Sequence, residues 1–328
     1  MTLGKPFIRP IIEGIIVYLS QKLGQTPTLS VAQLNIWNFF DPVDNPKTSD
    51  VVPSIADYNT RLRKLALTIT TTLGTPNVIS LNEIEDQRVL NDLLKLPVMK
   101  SLGYKGIVHD SNDGRGISVG VLYRGPLELV SIDEPNPKMS FKTDAAQGQL
   151  DPSLLYARAP LVLDFKYTGL SQSLSGVQNL TVAINHFKSK LGGDGPEPRR
   201  QMQGQYLGEY LDNKLSKDPN RSVLVIGDLN ATYADGAYKN LAFKKDGSER
   251  LKDVLTTLPD DDRYTYIYRG KKDLLDHVMV TGGLFKNLSS VTIPHIDTIR
   301  GASKFKMDPT TVNGMSDHDP IVAVFNLA

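Results

Sequence analysis

Short runs of Val, Ile, Leu and Phe recur along the chain, separated by polar segments of varying length. These runs predict strands over residues 29–36, 78–82, 117–123, 127–132, 160–166, 180–187, 222–227, 274–280 and 320–327. The strands at 117–123 and 127–132 have no helix between them, which implies an antiparallel pair. We therefore expect an α/β fold with mixed sheets, rather than a strict alternation of parallel strands and helices.

Helical spacing of apolar residues predicts three helices. Apolar positions 62, 65, 66, 69 and 73 line one face of a helix that Asp57 could cap. A second helix is predicted from about 197 to 215. Near the N-terminus, apolar residues at 11, 12, 15, 16, 19 and 23 predict an amphipathic helix that packs on the body of the protein.

Four polar segments, at 42–54, 133–152, 167–178 and 297–314, are predicted to be long surface loops. None of them has the composition of an interdomain linker, and the chain shows no internal repeat. We therefore predict one large domain over 29–328, preceded by an N-terminal amphipathic extension over 1–28.

Composition narrows the classes of function. The chain of 328 residues is 40% hydrophobic and 22% charged, as in a globular protein with a substantial core. Its net charge of +1 argues against a globally basic protein that wraps nucleic acid, but allows a local basic groove. The absence of cysteine excludes disulfides, thiolate nucleophiles and Cys-ligated zinc. No stretch approaches the roughly 20 apolar residues of a membrane span, and no clear signal peptide is recognisable.

Polar side chains that can take part in catalysis stand repeatedly at or near the ends of the predicted strands. They are Asn35, Glu83, His186, Asp228 with Asn230, Asp276, and the pair Asp317–His318 within Ser316–Pro320. Acids, amides and histidines in this arrangement indicate one metal-assisted phosphodiester site built from many strands.

Glu83 is the best candidate ligand for Mg²⁺, which prefers one or two carboxylates and keeps several waters. A solvated acidic turn at the start of the next helix explains Glu83 about equally well. Asp228 and Asn230 follow Gly227, and both side chains point the same way if the chain stays extended. The carboxylate could orient water and the amide could bind a phosphate oxygen; the alternative is an Asx-turn that closes the strand.

His186 is flanked by Lys188 and Lys190, which could supply positive charge beside a phosphate. A lone histidine in this position is more often structural. Arg199 and Arg200 open the following helix and could reach the same anion. A solvated helix face is nevertheless the expected role for at least one of them.

Asp317 and His318 form a pair in which a carboxylate can fix the tautomer of an imidazole and raise its basicity. Asp276 is a second carboxylate available to orient a histidine, and a capping or turn role is the alternative for either acid. His109 and His295 fall in no comparable phrase, so we expect them to be structural.

Taken in order, these phrases resemble the endonuclease/exonuclease/phosphatase superfamily. The resemblance spans about 29 to 327 and rests on Asn35, Glu83, His186, Gly227–Asn230, Leu275–His277 and Ser316–Pro320. The phrases Asp-Gly-Arg-Gly-Ile at 113–117 and Asn-His-Phe-Lys-Ser-Lys at 185–190 are similar to bacterial extracellular nucleases of that superfamily. The resemblance implies a four-layered sandwich, in which two mixed β-sheets pack face to face with helices outside.

The resemblance also implies roles for individual residues. Glu83 and Asp317 would serve the metal, with Mg²⁺ expected and Mn²⁺ or Ca²⁺ as alternatives. The catalytic group would be His186, Asp228, Asp276 and His318, in which Asp228 orients or activates the nucleophile and Asp276 orients His318. Substrate contacts would come from Asn35, Arg115, Arg158, Lys188 and Asn230.

The leading hypothesis is therefore a divalent-metal-dependent nuclease that cuts DNA, or alternatively RNA, with little sequence specificity. The second enzyme hypothesis is a phosphatase or phosphodiesterase acting on inositol phosphates or phospholipids. Inositol phosphatases of the superfamily usually carry Asp-Arg where this chain has Asp276-His277, which counts against that branch. A non-catalytic binding protein is disfavoured because Glu83, Asp228 and His318 are all present.

The three tyrosines at 264, 266 and 268 could contact a nucleic acid, but strand packing is their expected role. The resemblance favours a secreted or periplasmic location, and the oligomeric state is left open by the sequence.

Overall fold

The computed structural model describes residues 27–135, 138–141, 149–168, 178–191, 195–298 and 301–327. The amphipathic helix expected near the N-terminus lies outside these residues, so that helix and the domain boundary after residue 28 stay predictions. Within the described ranges, no helix is both long and apolar enough to cross a membrane.

Six strands form the first sheet. They are β1 (Thr28–Phe39), β2 (Val78–Ile84), β3 (Lys105–His109), β4 (Ser118–Tyr123), β13 (Leu288–Thr292) and β14 (Ile321–Asn326). Their order across the sheet is β13–β14–β1–β2–β4–β3. Because β1 and β2 are parallel and the other neighbours are antiparallel, the sheet is mixed, as expected.

The second sheet also has six strands. They are β5 (Leu127–Asp133), β6 (Leu161–Tyr167), β7 (Asn179–His186), β8 (Ser222–Asp228), β9 (Lys252–Asp253) and β12 (Asp276–Val280), in the order β5–β6–β7–β8–β12–β9. Only β7 and β8 are parallel among the neighbours within this sheet. A separate hairpin consists of β10 (Tyr266–Tyr268) and β11 (Lys271–Asp273).

Helices connect the parallel strands and cover the sheets. They are α1 (Ile55–Leu67), α2 (Gln87–Lys95), α3 (Pro97–Lys100), α4 (Glu197–Lys217), α5 (Gly236–Ala242) and α6 (Gly282–Phe285). Since a parallel pair needs a crossover, α1 lies between β1 and β2 in the chain, and α4 between β7 and β8. The prediction that Asp57 caps α1 is wrong. The cap is Ser54, whose hydroxyl accepts the N–H of Asp57 at 3.1 Å.

The alternation of side chains along the strands produces the layers. On β1, Leu29 and Val31 face the core between the two sheets, whereas Ala32 and Leu34 face the core shared with α1 and α2. The second sheet repeats this arrangement, with its outer face against α4 and α5. The order of layers is therefore helices, first sheet, second sheet, helices, which confirms the four-layered sandwich.

A buried lysine on α1 binds the irregular segment 305–313 on the outer side of the first sheet. Lys64 on α1 is 1% exposed, and its Nζ donates to the carbonyls of Phe305 (2.6 Å), Asp308 (3.0 Å) and Asn313 (2.6 Å). Burial lowers the pKa of Lys64, but all three N–H groups of the ammonium have acceptors. The contacts fix part of the predicted loop 297–314 against the helix.

We predict that Lys64→Met lowers the free energy of unfolding by about 3 kcal/mol, because three buried carbonyls lose a charged donor. Urea unfolding measures the change. Arg63→Met, on the exposed side of the same helix, is the matched control and should change stability by no more than about 0.5 kcal/mol. Similar losses for the two variants would contradict the anchoring role of Lys64.

Candidate active site

The sheet topology brings the strand-end residues to one edge of the sandwich. In each sheet the parallel strands end on the same side, and the antiparallel strands β12 and β14 start there. In register, Asp228 lies opposite His186 on β7 and opposite Asp276 on β12. Asn35 pairs in register with Asn82, one residue before the predicted ligand at 83. The predicted residues therefore meet from two sheets.

Two buried carboxylates, Asp228 and Asp276, lie beside His318. The Nδ1 of His318 is 2.7 Å from Oδ2 of Asp276, and potential ligand atoms of all three residues lie within 4.8 Å of one another. Burial opposes a charge on His318, but the Asp276 carboxylate outweighs it and raises the pKa of His318 well above its ordinary value. Burial opposes ionisation of Asp276, but the charge of His318 and hydrogen bonds to the carboxylate together lower its pKa. Burial, and then the charge of Asp276, raises the pKa of Asp228.

His186 also lies near two carboxylates, but its charge state is the opposite of that of His318. Its Nε2 lies 3.6 Å from Oδ2 of Asp228 and 4.0 Å from Oε1 of Glu83. Burial, followed by the charge of Arg158, lowers the pKa of His186 well below its ordinary value. The site therefore holds one neutral and one charged histidine near Asp228.

Glu83 stands at an irregularity near the end of β2. Its φ of 66° lies in the left-handed region, and the register with β4 shifts between Asn82 and Ile84. This backbone conformation is strained for a residue with a Cβ. The N–H of Asn38 donates to Oε2 of Glu83 at 2.8 Å and helps to hold the side chain. The Asn38 N–H thus holds the Glu83 side chain, and an exposed fraction of 14% leaves it within reach of solvent. A metal ligand must meet both conditions.

Two amides complete the surroundings of Asp228. The Nδ2 of Asn35 lies 3.4 Å from Oδ2 of Asp228. The chain does not stay extended at Asn230, whose φ is 47°. Instead, Oδ1 of Asp228 accepts the Asn230 N–H at 2.8 Å, which is the Asx-turn, and the Asn230 side chain donates to the Phe187 carbonyl at 3.3 Å. Asn230 therefore forms the Asx-turn and also lies beside Asp228, so the two interpretations of this residue are compatible.

The two arginines predicted to contact the substrate lie at different depths. Arg158 is 3% exposed, is ion-paired with Asp113, and donates to the carbonyls of His186 (3.3 Å) and Phe187 (2.9 Å). Its guanidinium therefore holds the end of β7. Arg115 also pairs with Asp113, at 3.2 Å, but its side chain is 43% exposed. Of the two, only Arg115 is open to a substrate.

Arg199 and Arg200 do not lie on a solvated helix face. Both are buried, and they donate to backbone carbonyls, Arg199 to Leu155 at 3.1 Å and Arg200 to Ser189 at 2.9 Å. The five donors of a guanidinium suit it to satisfy the carbonyls of irregular segments. Lys188 is half-buried, and burial lowers its pKa.

Two fully buried amides that no strand-end pattern indicated connect the two sheets at this edge. The Nε2 of Gln33 donates to Oδ1 of Asn82 at 2.6 Å and to Oδ1 of Asp276 at 3.1 Å. Asn82 in turn accepts the N–H of Asp228 at 2.8 Å and donates to the Asn185 carbonyl at 3.1 Å. In the sequence, these two residues could have been noticed only as polar residues at inward-facing positions of apolar strands.

Gly227 permits the close approach of β8 to β7. Its φ is 148°, and a Cβ at this position would overlap the carbonyl oxygen of Asn185. The missing side chain thus allows the register that places Asp228 opposite His186.

The donor set fits a divalent cation. Glu83, Asp228, Asp276 and Asp317 supply carboxylate oxygens, the hard ligands that Mg²⁺ and Mn²⁺ prefer. Burial, and after it the charge of Asp276, raises the pKa of Asp228, and a cation beside this carboxyl would favour its ionised form. Asp276 is already engaged by His318, so Glu83 and the half-buried Asp317 remain the predicted ligands.

Other histidines have structural partners. His277 is fully buried, with Nδ1 2.6 Å from Oδ2 of Asp253, and this carboxylate raises its pKa although burial opposes the charge. The Nδ1 of His295 lies 2.7 Å from Oδ2 of Asp319. The ring of Tyr266, in β10, lies 4.7 Å from the His318 ring.

Comparison with known proteins agrees with this geometry. The profile of the Endonuclease/Exonuclease/phosphatase family matches residues 30–325. An endonuclease/exonuclease/phosphatase from Bacteroides vulgatus is 18% identical, with 92% of this chain and 100% of that chain covered and a TM-score of 0.58. The human Nocturnin catalytic domain with bound sulfate is 18% identical, with 92% and 95% covered and a TM-score of 0.58. TDP2 from D. rerio, complexed with single strand DNA product, is 17% identical, with 91% and 99% covered and a TM-score of 0.55. No curated protein matches the chain.

Asp297 is a buried carboxyl close to the turn that carries Asp317 and His318. Its N–H donates to Oδ1 of Asp319 at 2.8 Å. Burial raises the pKa of Asp297 to about 8, although the backbone N–H groups of Ser316 and Met315 act in the opposite direction. The carboxyl is therefore protonated at neutral pH in the folded protein.

We predict that Asp297→Asn becomes more stable relative to the wild type as pH rises. The folded protein keeps the Asp297 proton up to about pH 8, whereas the unfolded chain loses it near 3.8. The contribution of Asp297 to the unfolding free energy of the wild type must therefore fall as pH rises through this window. The variant lacks that loss and should gain about 2 kcal/mol or more over the wild type between about pH 4 and pH 8, measured by urea unfolding.

Asp44→Asn, at an exposed carboxylate, serves as the control for this series and should follow the wild type. A constant difference between Asp297→Asn and the wild type across the pH range would show that Asp297 does not titrate as proposed.

Proposed function

Because the chain belongs to the endonuclease/exonuclease/phosphatase family, we propose that it is a divalent-metal-dependent nuclease that hydrolyses phosphodiester bonds of DNA with little sequence specificity. RNA is the second substrate class to be tested. The observation that carries the proposal is the charge arrangement around Asp228. This carboxylate with a raised pKa lies near a neutral His186 and a charged His318.

Hydrolysis of a phosphodiester requires a water to lose a proton as it attacks the phosphorus and a leaving oxygen to be stabilised. Asp228 is the best base, because burial and Asp276 raise its pKa and so strengthen it as a proton acceptor. His318 cannot accept a proton while it is an imidazolium, and its charge suits it to bind a phosphoryl oxygen. The neutral His186 can donate its N–H to the phosphate or to the leaving oxygen.

The remaining residues bind and orient. A divalent cation held by Glu83 and Asp317 would supply Lewis-acid charge to the phosphate. Asn35 and Asn230 offer amide donors that bind phosphate oxygens without adding negative charge. Arg115 adds positive charge from the exposed rim.

A nucleic acid substrate is supported by chemistry and by fold. Arg115 donates to Oδ1 of Asn38 at 3.3 Å, and Lys188 follows His186 by two residues, so local positive charge is available to a phosphate backbone although the net charge is only +1. The D. rerio TDP2 structure, of the same fold, is described as a complex with single strand DNA product.

We predict that the protein nicks supercoiled plasmid in Mg²⁺ and that chelator abolishes nicking. His186→Ala and Asp228→Asn should each slow the reaction by roughly 10²–10⁴-fold, because each removes a proton-transfer or phosphate-binding group. Gel densitometry of the nicked form measures the rate.

Asp218→Asn is the matched control for Asp228→Asn, since Asp218 precedes β8 and so lies at the opposite end of the same strand. It should cut at the wild-type rate. No nicking in Mg²⁺, Mn²⁺ or Ca²⁺ would refute the nuclease proposal, and inositol phosphates and phospholipids would become the substrates to test.

A further inference from the structure

Trp37, the only tryptophan in the chain, lies beside the proposed site. Its N–H donates to Oδ1 of Asn35 at 2.9 Å, and the next residue, Asn38, donates its N–H to Glu83. The Nζ of Lys306 lies 3.4 Å from the centre of the Trp37 ring. Both side chains are half-buried, so a ligand at the site can reach them.

The main chain fixes the position of the Trp37 indole. The φ angles of Trp37 and Asn38 are 53° and 46°, in the left-handed region that bulky residues seldom adopt. Arg61 donates to the carbonyls of the three residues 36–38 at 2.6 to 3.0 Å. A strained backbone held by a buried guanidinium is typical of a functional position.

The ammonium of Lys306 is held only loosely. Among the residues that the structure describes, its ammonium lies over the Trp37 ring and makes no hydrogen bond or ion pair. The carboxylates of Asp317 and Glu83 lie close enough to attract it. A cation on an aromatic face is more weakly bound than one that hydrogen-bonds a phosphate. Lys306 can therefore move from the indole to a phosphate at the site.

We propose that Trp37 and Lys306 together bind one nucleotide next to the phosphate that is cut. Lys306 leaves the indole for a backbone phosphate, and the vacated face of Trp37 stacks on the adjoining base. An aromatic side chain stacks on any base, which agrees with low sequence specificity. This inference rests on the proposed nuclease function and names the part of the substrate that these residues contact.

The single tryptophan allows a direct test of stacking. In chelator, which prevents cleavage, the fluorescence of the protein is titrated with oligothymidylate of about eight nucleotides and with an abasic deoxyribose phosphate chain of the same length. We expect oligothymidylate to quench Trp37 and the abasic chain to quench it far less. Equal quenching by the two chains would overturn the stacking of a base on Trp37.

Variants test the two residues separately, by fluorescence anisotropy of labelled oligothymidylate. Trp37→Ala should weaken binding roughly tenfold, and Trp37→Phe should retain most of the affinity because a ring remains. Lys306→Ala should reduce the slope of log affinity against log salt by about 0.7, the loss of one phosphate contact on a single strand. Lys304→Ala, at an exposed lysine two residues away, should leave that slope unchanged.

Equal salt slopes for Lys304→Ala and Lys306→Ala would overturn the phosphate contact. Unfolding curves by circular dichroism check that each variant is folded. If Trp37→Ala and Lys306→Ala bind and nick DNA like the wild type, the nucleotide-binding pair is wrong and the nuclease function stands. If both variants lose binding but no metal supports nicking by the wild type, the pair stands and the nuclease function fails.

Discussion

The proposed site depends on the hydrogen bonds that Gln33 and Asn82 make between the two sheets. Most of this interface is apolar, and apolar contacts do not fix one lateral position, because the hydrophobic effect has no direction. The amides do fix it, since they bond Asp276 and the N–H of Asp228 with specific geometry. Burial of two neighbouring carboxylates is also costly without polar partners, and the amides supply some of them.

The two histidines of the site show how neighbours distinguish the charge states of two groups that are buried to a similar degree. His186 and His318 are both almost fully buried, yet one is neutral and the other is an imidazolium. The difference lies in what each ring faces. His318 bonds directly to the carboxylate of Asp276, whereas Arg158 adds to the desolvation of His186. The proposed division between a proton acceptor at Asp228 and hydrogen-bond donors around it rests on these contacts.

Much of the fold follows from the sequence, because alternation of apolar residues defines strands and their two buried faces. Glu83 and Asp228 could be found because they interrupt an apolar run where a strand ends. Gln33 and Asn82 could not, since a single polar residue inside a strand has many explanations and the partners of Gln33 are 49 and 243 positions away. The burial of Arg158 likewise depends on a residue distant in the sequence, because Arg158 forms an ion pair with Asp113. Local pattern thus identifies the groups, and long-range pairing decides what each one does.

The groups of the proposed site come from both sheets, so the apolar layer between the sheets sets the distance that separates them. Glu83 belongs to one sheet and His186 to the other, and their side chains stand 4.0 Å apart. Side chains such as Val31 and Val182, which fill that layer, therefore act as spacers as well as core. A substitution there that keeps the protein folded still changes the gap across which a phosphate must fit. If the proposed activity holds, selection would act on the spacing between the two sheets, and residues that never contact a substrate would affect the rate.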